Sequence, residues 1–195
     1  MTTRVRRYFE DMPAASVVEM MEVASGGGTI TADTDIVDCI KVSANAGGGV
    51  LETWTKGTVA YDKQPTFLSA DFYVTNNDHT FSIGFGNAGN FAFLYALDPG
   101  SGMVFRLWIV DAGFTDFTVI APAAATWYRL HLEWNATAYK ATLENMATGV
   151  KEQVTEGVPT TPQPVRFAIA VQSTGSARVL KVRLNSLQTS MDHTL

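Results

Sequence analysis

The stretch TWYRLHLEW, residues 126 to 134, sets an aromatic ring, a guanidinium, an imidazole and a carboxylate two residues apart. Period-two alternation puts Trp127, Arg129, His131 and Glu133 on one side of a strand and Tyr128, Leu130, Leu132 and Trp134 on the other. The second set reads as core. The first admits three chemistries: sugar contact, acid–base cleavage, or a solvated face whose charges pair across strands. Cleaving a glycosidic bond takes one carboxyl group to protonate the leaving oxygen and another to attack or to activate water. Glu133 has no second acid on its strand, and Glu144 lies beyond a turn. No residue is therefore assigned a catalytic role.

Sugar binding asks for aromatic faces, on which the C–H faces of the rings lie, and for charged and amide groups that fix the hydroxyls. Opposite the apolar rows of their strands, the candidates are Arg106 and Trp108 in MVFRLWIV, Arg129 and His131, with Tyr73, Gln172 and Asp71. In the competing reading Trp108 is core and the charged residues form an ordinary wet face. Asp33, Asp35 and Asp38 in TADTDIVD, and Asn76, Asn77, Asp78 and His79, offer oxygens of the kind calcium takes. Neither group matches a defined calcium loop, and both read as solvated turns. The three histidines, His79, His131 and His193, are too scattered for a zinc spacing. GFGNAG, at 84 to 89, joins strand to strand, so no helix N-terminus stands behind it for an anion. No metal and no cofactor is expected.

These residues need a scaffold, and the totals bound it. The 195 residues, 46% of them hydrophobic, suffice for one domain with a substantial core. Net charge is −5 and the one basic cluster is Arg4, Arg6 and Arg7, which argues against nucleic acid as a partner of the body of the domain. The single cysteine, Cys39, excludes an intrachain disulfide and reads as a small buried residue. No apolar run approaches the roughly 18 residues of a membrane helix, and the first residues lack the apolar segment of a signal peptide. A soluble protein made in a reducing compartment is expected, with no membrane partner.

From residue 28 onward the pattern is strand and turn, about a dozen strands in all. FLSADFYV and FSIGFG flank the turn-rich TNNDHT and read as a hairpin; FAFLYAL and MVFRLWIV flank DPGSG and read as a second. Such a series points to an all-β antiparallel sandwich or barrel. In FSIGFG and FAFLYAL the residues opposite the large apolar ones are Gly, Ser and Ala, which predicts a shallow surface suited to a concave sheet face. Residues 1–25 read as an N-terminal arm. Asp11 as N-cap and Pro13 in the first turn predict a helix over 13 to 24, while SVVEMMEV reads as a strand. SGGG at 25 to 28 is expected to separate this arm from a sandwich over 26–188. AGGG at 46 to 49 reads as a hairpin turn, and 189–195 as a polar tail.

TWYRLHLEWNATAYKATLENMATGVKEQV followed by PVRFAIAVQSTGSARVLKVRLNSLQ resembles the later half of concanavalin A-like (LamG-like) lectin and glucanase jelly rolls. The resemblance spans about residues 26 to 188 and implies two curved antiparallel sheets in a jelly-roll sandwich, with a concave face that binds glycans in many members. The Glu-x-Asp-x-x-Glu run of the glucanases is absent, and YRLHLEW departs from the Arg-x-Glu-x-Arg strand of the lyases of this shape. Lectin-like jelly rolls also recur among phage virion proteins. Together with the arm and tail, the resemblance implies a non-enzymatic structural or accessory subunit, a capsid decoration or other head or tail surface protein, located in the virion. It would be held by other subunits and by copies of itself through Arg4, Arg6, Arg7, Tyr8 and Phe9. The alternatives are a free carbohydrate-binding module using the concave face and, third, a polysaccharide-degrading enzyme.

Overall fold

The computed structural model describes residues 2–47, 49–55, 66–76, 80–86, 91–98, 100, 102–109, 112–134, 137–157, 166–173 and 175–194. Its elements are β1 (Thr2–Glu10), α1 (Ala14–Met20), β2 (Met21–Ser25), β3 (Gly28–Ala32), β4 (Ile40–Ala44), β5 (Gly49–Thr55), β6 (Thr66–Val74), β7 (Phe81–Gly86), β8 (Phe91–Leu97), β9 (Val104–Ile109), β10 (Gly113–Asp116), β11 (Thr126–Trp134), β12 (Tyr139–Asn145), β13 (Lys151–Glu156), β14 (Arg166–Ser173) and β15 (Arg178–Thr194). Sheet I has the strand order β13-β12-β11-β6-β15-β4-β3, with β1 also paired to β15. Sheet II has the order β10-β9-β8-β7-β14-β5-β2, and every pairing in both sheets is antiparallel.

Alternation builds the core between them. Sheet I turns inward Leu68, Ala70, Phe72 and Val74 of β6, Tyr128, Leu130 and Leu132 of β11, and Leu180, Val182 and Leu184 of β15. Sheet II answers with Phe81, Ile83 and Phe85, with Phe105, Leu107 and Ile109, and with Phe167, Ile169 and Val171. An aromatic knot crosses the interface: Phe72 stacks on Tyr128 at 5.5 Å, and Phe105 meets Tyr128 edge-on at 4.9 Å. Each such side chain contributes about 1.5–3 kcal/mol by leaving water.

Three local expectations change. β6 and β7 lie in different sheets, so FLSADFYV and FSIGFG are joined by a crossover and not by a hairpin; residues 77–79 of the intervening turn lie outside the described residues. The same holds for β4 and β5 around AGGG. The hairpin of β8 and β9 is present, with Leu97 opposite Val104. Residues 13 to 24 divide between the two readings. Ala14, Val17 and Met21 are buried at helical spacing, and the chain then extends because β2 pairs with β5. Pro13 is the N-cap, while Asp11 adopts a positive φ of 43° and donates its N–H to the Asn185 carbonyl.

The first 25 residues thus belong to both sheets, β1 to sheet I and β2 to sheet II. SGGG is a close-packed crossing. A Cβ on Gly26 (φ +83°) would stand 1.9 Å from the Val50 carbonyl oxygen, and one on Gly28 would stand 2.2 Å from that of Ser43. The polar tail continues β15 as far as Thr194, paired with β1. Cys39 is fully buried; burial, reinforced by the Asp33 charge, pushes its thiol up to about 11.

One side of the sandwich is clasped by two glutamates of β13. Glu152 accepts the N–H groups of Thr118, Val119 and Ile120 and the Thr118 hydroxyl, and Glu156 takes the Thr115 hydroxyl of β10. Tyr128 fastens the same loop from below, donating to the Ala121 carbonyl and accepting the Ala123 N–H, both at 2.9 Å.

Candidate functional site

The seven sugar-contact candidates fall on opposite faces of the sandwich. Arg129, His131, Tyr73 and Asp71 lie on the outer face of sheet I, whereas Arg106, Trp108 and Gln172 face outward from sheet II. One site cannot hold all seven.

On sheet I the registers align Arg183, Asp71, Arg129, Glu144 and Lys151 across five strands, with the sign of charge alternating. The Arg129 guanidinium grips Asp71 with both arms, at 2.8 and 3.1 Å, and the Asn185 amide adds a third donor at 2.9 Å. Glu144 lies 3.2 Å from Lys151, and Glu133 lies 3.9 Å from Lys140 and 3.7 Å from His131. Trp127 is covered by Tyr73 at 5.3 Å and by the Arg183 guanidinium at 5.7 Å. The wet face of TWYRLHLEW is a paired charge ladder. Two aspartates of TADTDIVD are likewise engaged, Asp33 lying 2.7 Å from Lys181 and accepting the N–H groups of Asp35 and Ile36, and Asp35 lying 3.9 Å from Lys181. Burial opposes ionisation of Asp33, but these donors outweigh it and hold the carboxyl below its usual range.

Sheet II presents a different surface. One outward row includes Ala168, Gly84, Phe93, Trp108 and Phe114, strand by strand. The next runs Glu52, Ala170, Ser82, Tyr95, Arg106 and Asp116. The outer positions of β7 and β14 are the small residues Ser82, Gly84, Ala168 and Ala170, but they do not form the open shallow surface expected from FSIGFG, because Ser82 and Ala168 are only 1% and 4% exposed and both faces of β7 are buried. Beside them stands an aromatic wall: Tyr95 contacts Phe93 at 6.1 Å and Trp108 at 5.4 Å. Trp108 is 37% exposed and Phe114 55%, so neither is core. The Tyr95 hydroxyl hydrogen-bonds Ser82; burial foremost, and then the charge of Glu52, raises its pKa. Arg106 is held by Asp116 at 2.5 and 3.0 Å and caps the Phe114 ring at 3.8 Å.

Of the residues on this face, the sequence singled out Arg106, Trp108 and Gln172 as candidates, and not Phe93, Tyr95, Phe114 or Glu52. In β8 the expectation reverses, because Leu94 and Ala96 point into the core while Phe93 and Tyr95 point out. FAFLYAL carries no polar residue to mark its outer side. The usable signal was the pairing of small with large, Gly84 opposite Phe93 and Ser82 opposite Tyr95. The arm residues Arg4, Arg6, Arg7, Tyr8 and Phe9 lie on β1, in register with Asp192, Ser190, Thr189, Gln188 and Leu187. His79 lies outside the described residues.

Two stacked antiparallel sheets in this strand order make a β-sandwich, and the solved structures it matches share the legume-lectin, concanavalin A-like fold. Lectin II from Ulex europaeus superposes with a TM-score of 0.67 at 9% identity, over 96% of this chain and 98% of that one. The CBM2 module of the evolved Dit of Lactobacillus casei BL23 phage J-1 gives 0.57 at 9% identity, over 100% and 91%. The carbohydrate esterase of Shiga toxin-encoding bacteriophage phi24B gives 0.53 at 10%, over 91% and 92%. Likeness at such identities carries the fold alone. No protein-family model matches the sequence, and no curated protein does.

Proposed function

We propose that the protein is a non-enzymatic structural or accessory subunit of a phage virion whose lectin-like sandwich contacts carbohydrate through the outer face of sheet II. The observation that carries this reading is the aromatic patch of Tyr95, Trp108 and Phe114 on adjoining strands, with Trp108 37% exposed and backed by Tyr95 at 5.4 Å. A sugar ring can stack on the exposed Trp108 indole. Glu133 and Glu144 stand beside Lys140 and Lys151, which suits binding better than cleavage.

The phage setting is supported by the likeness to the phage J-1 module over the whole chain. The subunit setting is supported by the terminal ribbon, in which β15 beyond Gln188 pairs with β1 alone among the described residues. That leaves backbone edges to which a neighbouring subunit can add a strand. Trp108→Ala should weaken glycan binding about tenfold or more, since stacked aromatics dominate such contacts. A glycan array followed by calorimetry tests this; an array without hits, or hits that Trp108→Ala leaves intact, would overturn the carbohydrate reading. Antibody labelling of phage particles in the electron microscope tests the virion reading, and unlabelled particles would refute it.

A further inference from the structure

The outward aromatic side chains at the β10 edge of sheet II form a row. Phe93 of β8, Trp108 of β9 and Phe114 of β10 stand opposite one another in register, and their exposure climbs towards the edge strand, from 9% to 37% to 55%. The neighbouring outward row, Tyr95, Arg106 and Asp116, runs along one side of them. Tyr95 backs Trp108 at 5.4 Å, and the Arg106 guanidinium backs Phe114 at 3.8 Å. Both exposed rings are thus braced from the same side, and each keeps its open surface away from that brace. Adjacent strands lie about 4.8 Å apart, so the patch offers two contact places one strand spacing from each other.

We infer that this patch takes an unbranched, neutral, β-1,4-linked pyranose chain, with consecutive residues of the chain seated on Trp108 and Phe114. The inference rests on the reading of this face as a carbohydrate site and adds the chemical class of the ligand. A lone sugar fills one of the two places. An extended chain laid across β9 and β10 advances by about one strand spacing per residue and meets both rings, whereas the coiling that α-1,4 linkage imposes carries the second residue off the sheet. Equatorial substituents leave axial C–H groups on both faces of each pyranose, so successive residues, turned over relative to one another, both offer an apolar face to an aromatic ring. Arg106, the cation beside the rings, is held by Asp116 at 2.5 and 3.0 Å, which favours a neutral chain over a polyanion. The net charge of −5 acts in the same sense.

Titration calorimetry should compare β-1,4-linked and α-1,4-linked glucose hexamers, in which the number of rings, and so the statistical gain from a chain, is the same. The β-linked hexamer should bind about tenfold tighter, the scale of one additional stacked aromatic contact. Phe114→Ala should bring the two hexamers to equal affinity without moving the thermal unfolding midpoint, and Phe114→Tyr should keep the preference. Trp108→Ala should weaken both. Equal affinities in the wild type, or a preference that survives Phe114→Ala, would overturn the inference while binding that depends on Trp108 leaves the carbohydrate site standing. Binding of neither hexamer, with another glycan held through Trp108, would likewise overturn the inference alone. A glycan array without hits would remove both.

Discussion

At the residue scale, function turns on which polar groups are already satisfied. Arg129 and Asp71 look like binding residues in sequence, yet their bidentate contact and the Asn185 donor leave them structural. Glu152 is engaged in the same way, by four donors from one loop. Burial opposes its ionisation, but these donors prevail and hold its carboxyl below the usual glutamate range. A folded-state value below the unfolded one means that its stabilisation is present above about pH 4.5 and fades as pH falls through the folded value. Glu152→Gln should therefore cost about 1 kcal/mol in urea unfolding at neutral pH, with the difference from wild type shrinking below about pH 4. A difference that stays constant down to about pH 2 would show that the clasp does not depend on the charge.

At the element scale, the lesson comes from SGGG and from the crossovers. A glycine run reads as a joint because composition does not reveal what passes beside it. Here the Val50 and Ser43 carbonyls occupy the space that side chains would need. Gly26→Ala, which also places an L residue at φ +83°, should destabilise by more than about 2 kcal/mol. Gly27→Ala meets only the movable Asn45 side chain at 3.2 Å and should cost far less. Equal thermal midpoints for the two variants would contradict the close packing. The strands themselves were legible, since alternation marks them without regard to partners. Whether consecutive strands pair or cross was not, because TNNDHT and DPGSG both read as turns while only sheet membership decides which link is a hairpin.

At the scale of the whole molecule, the two sheets give one domain two unlike outer surfaces, a ladder of paired charges on sheet I and an aromatic patch beside small, buried residues on sheet II. The sequence identified strands with outward polar residues but could not say that Arg129 and Trp108 look in opposite directions, because sheet membership is a long-range property. It identified the small residues Gly84 and Ser82 on the outer side of β7 but not that their neighbours bury them. It passed over Tyr95, which only the register sets beside them. Trp108 and Gln172 remain candidates together; Arg129, His131 and Tyr73 do not join them.

The most direct test of this division is chemical-shift mapping of the isotope-labelled protein during titration with an oligosaccharide that binds it. The account predicts perturbations concentrated on Trp108, Tyr95 and Phe114, with Arg129, His131 and Asp71 silent. Perturbations centred on β11 and β6, with those of β8 and β9 unmoved, would contradict it.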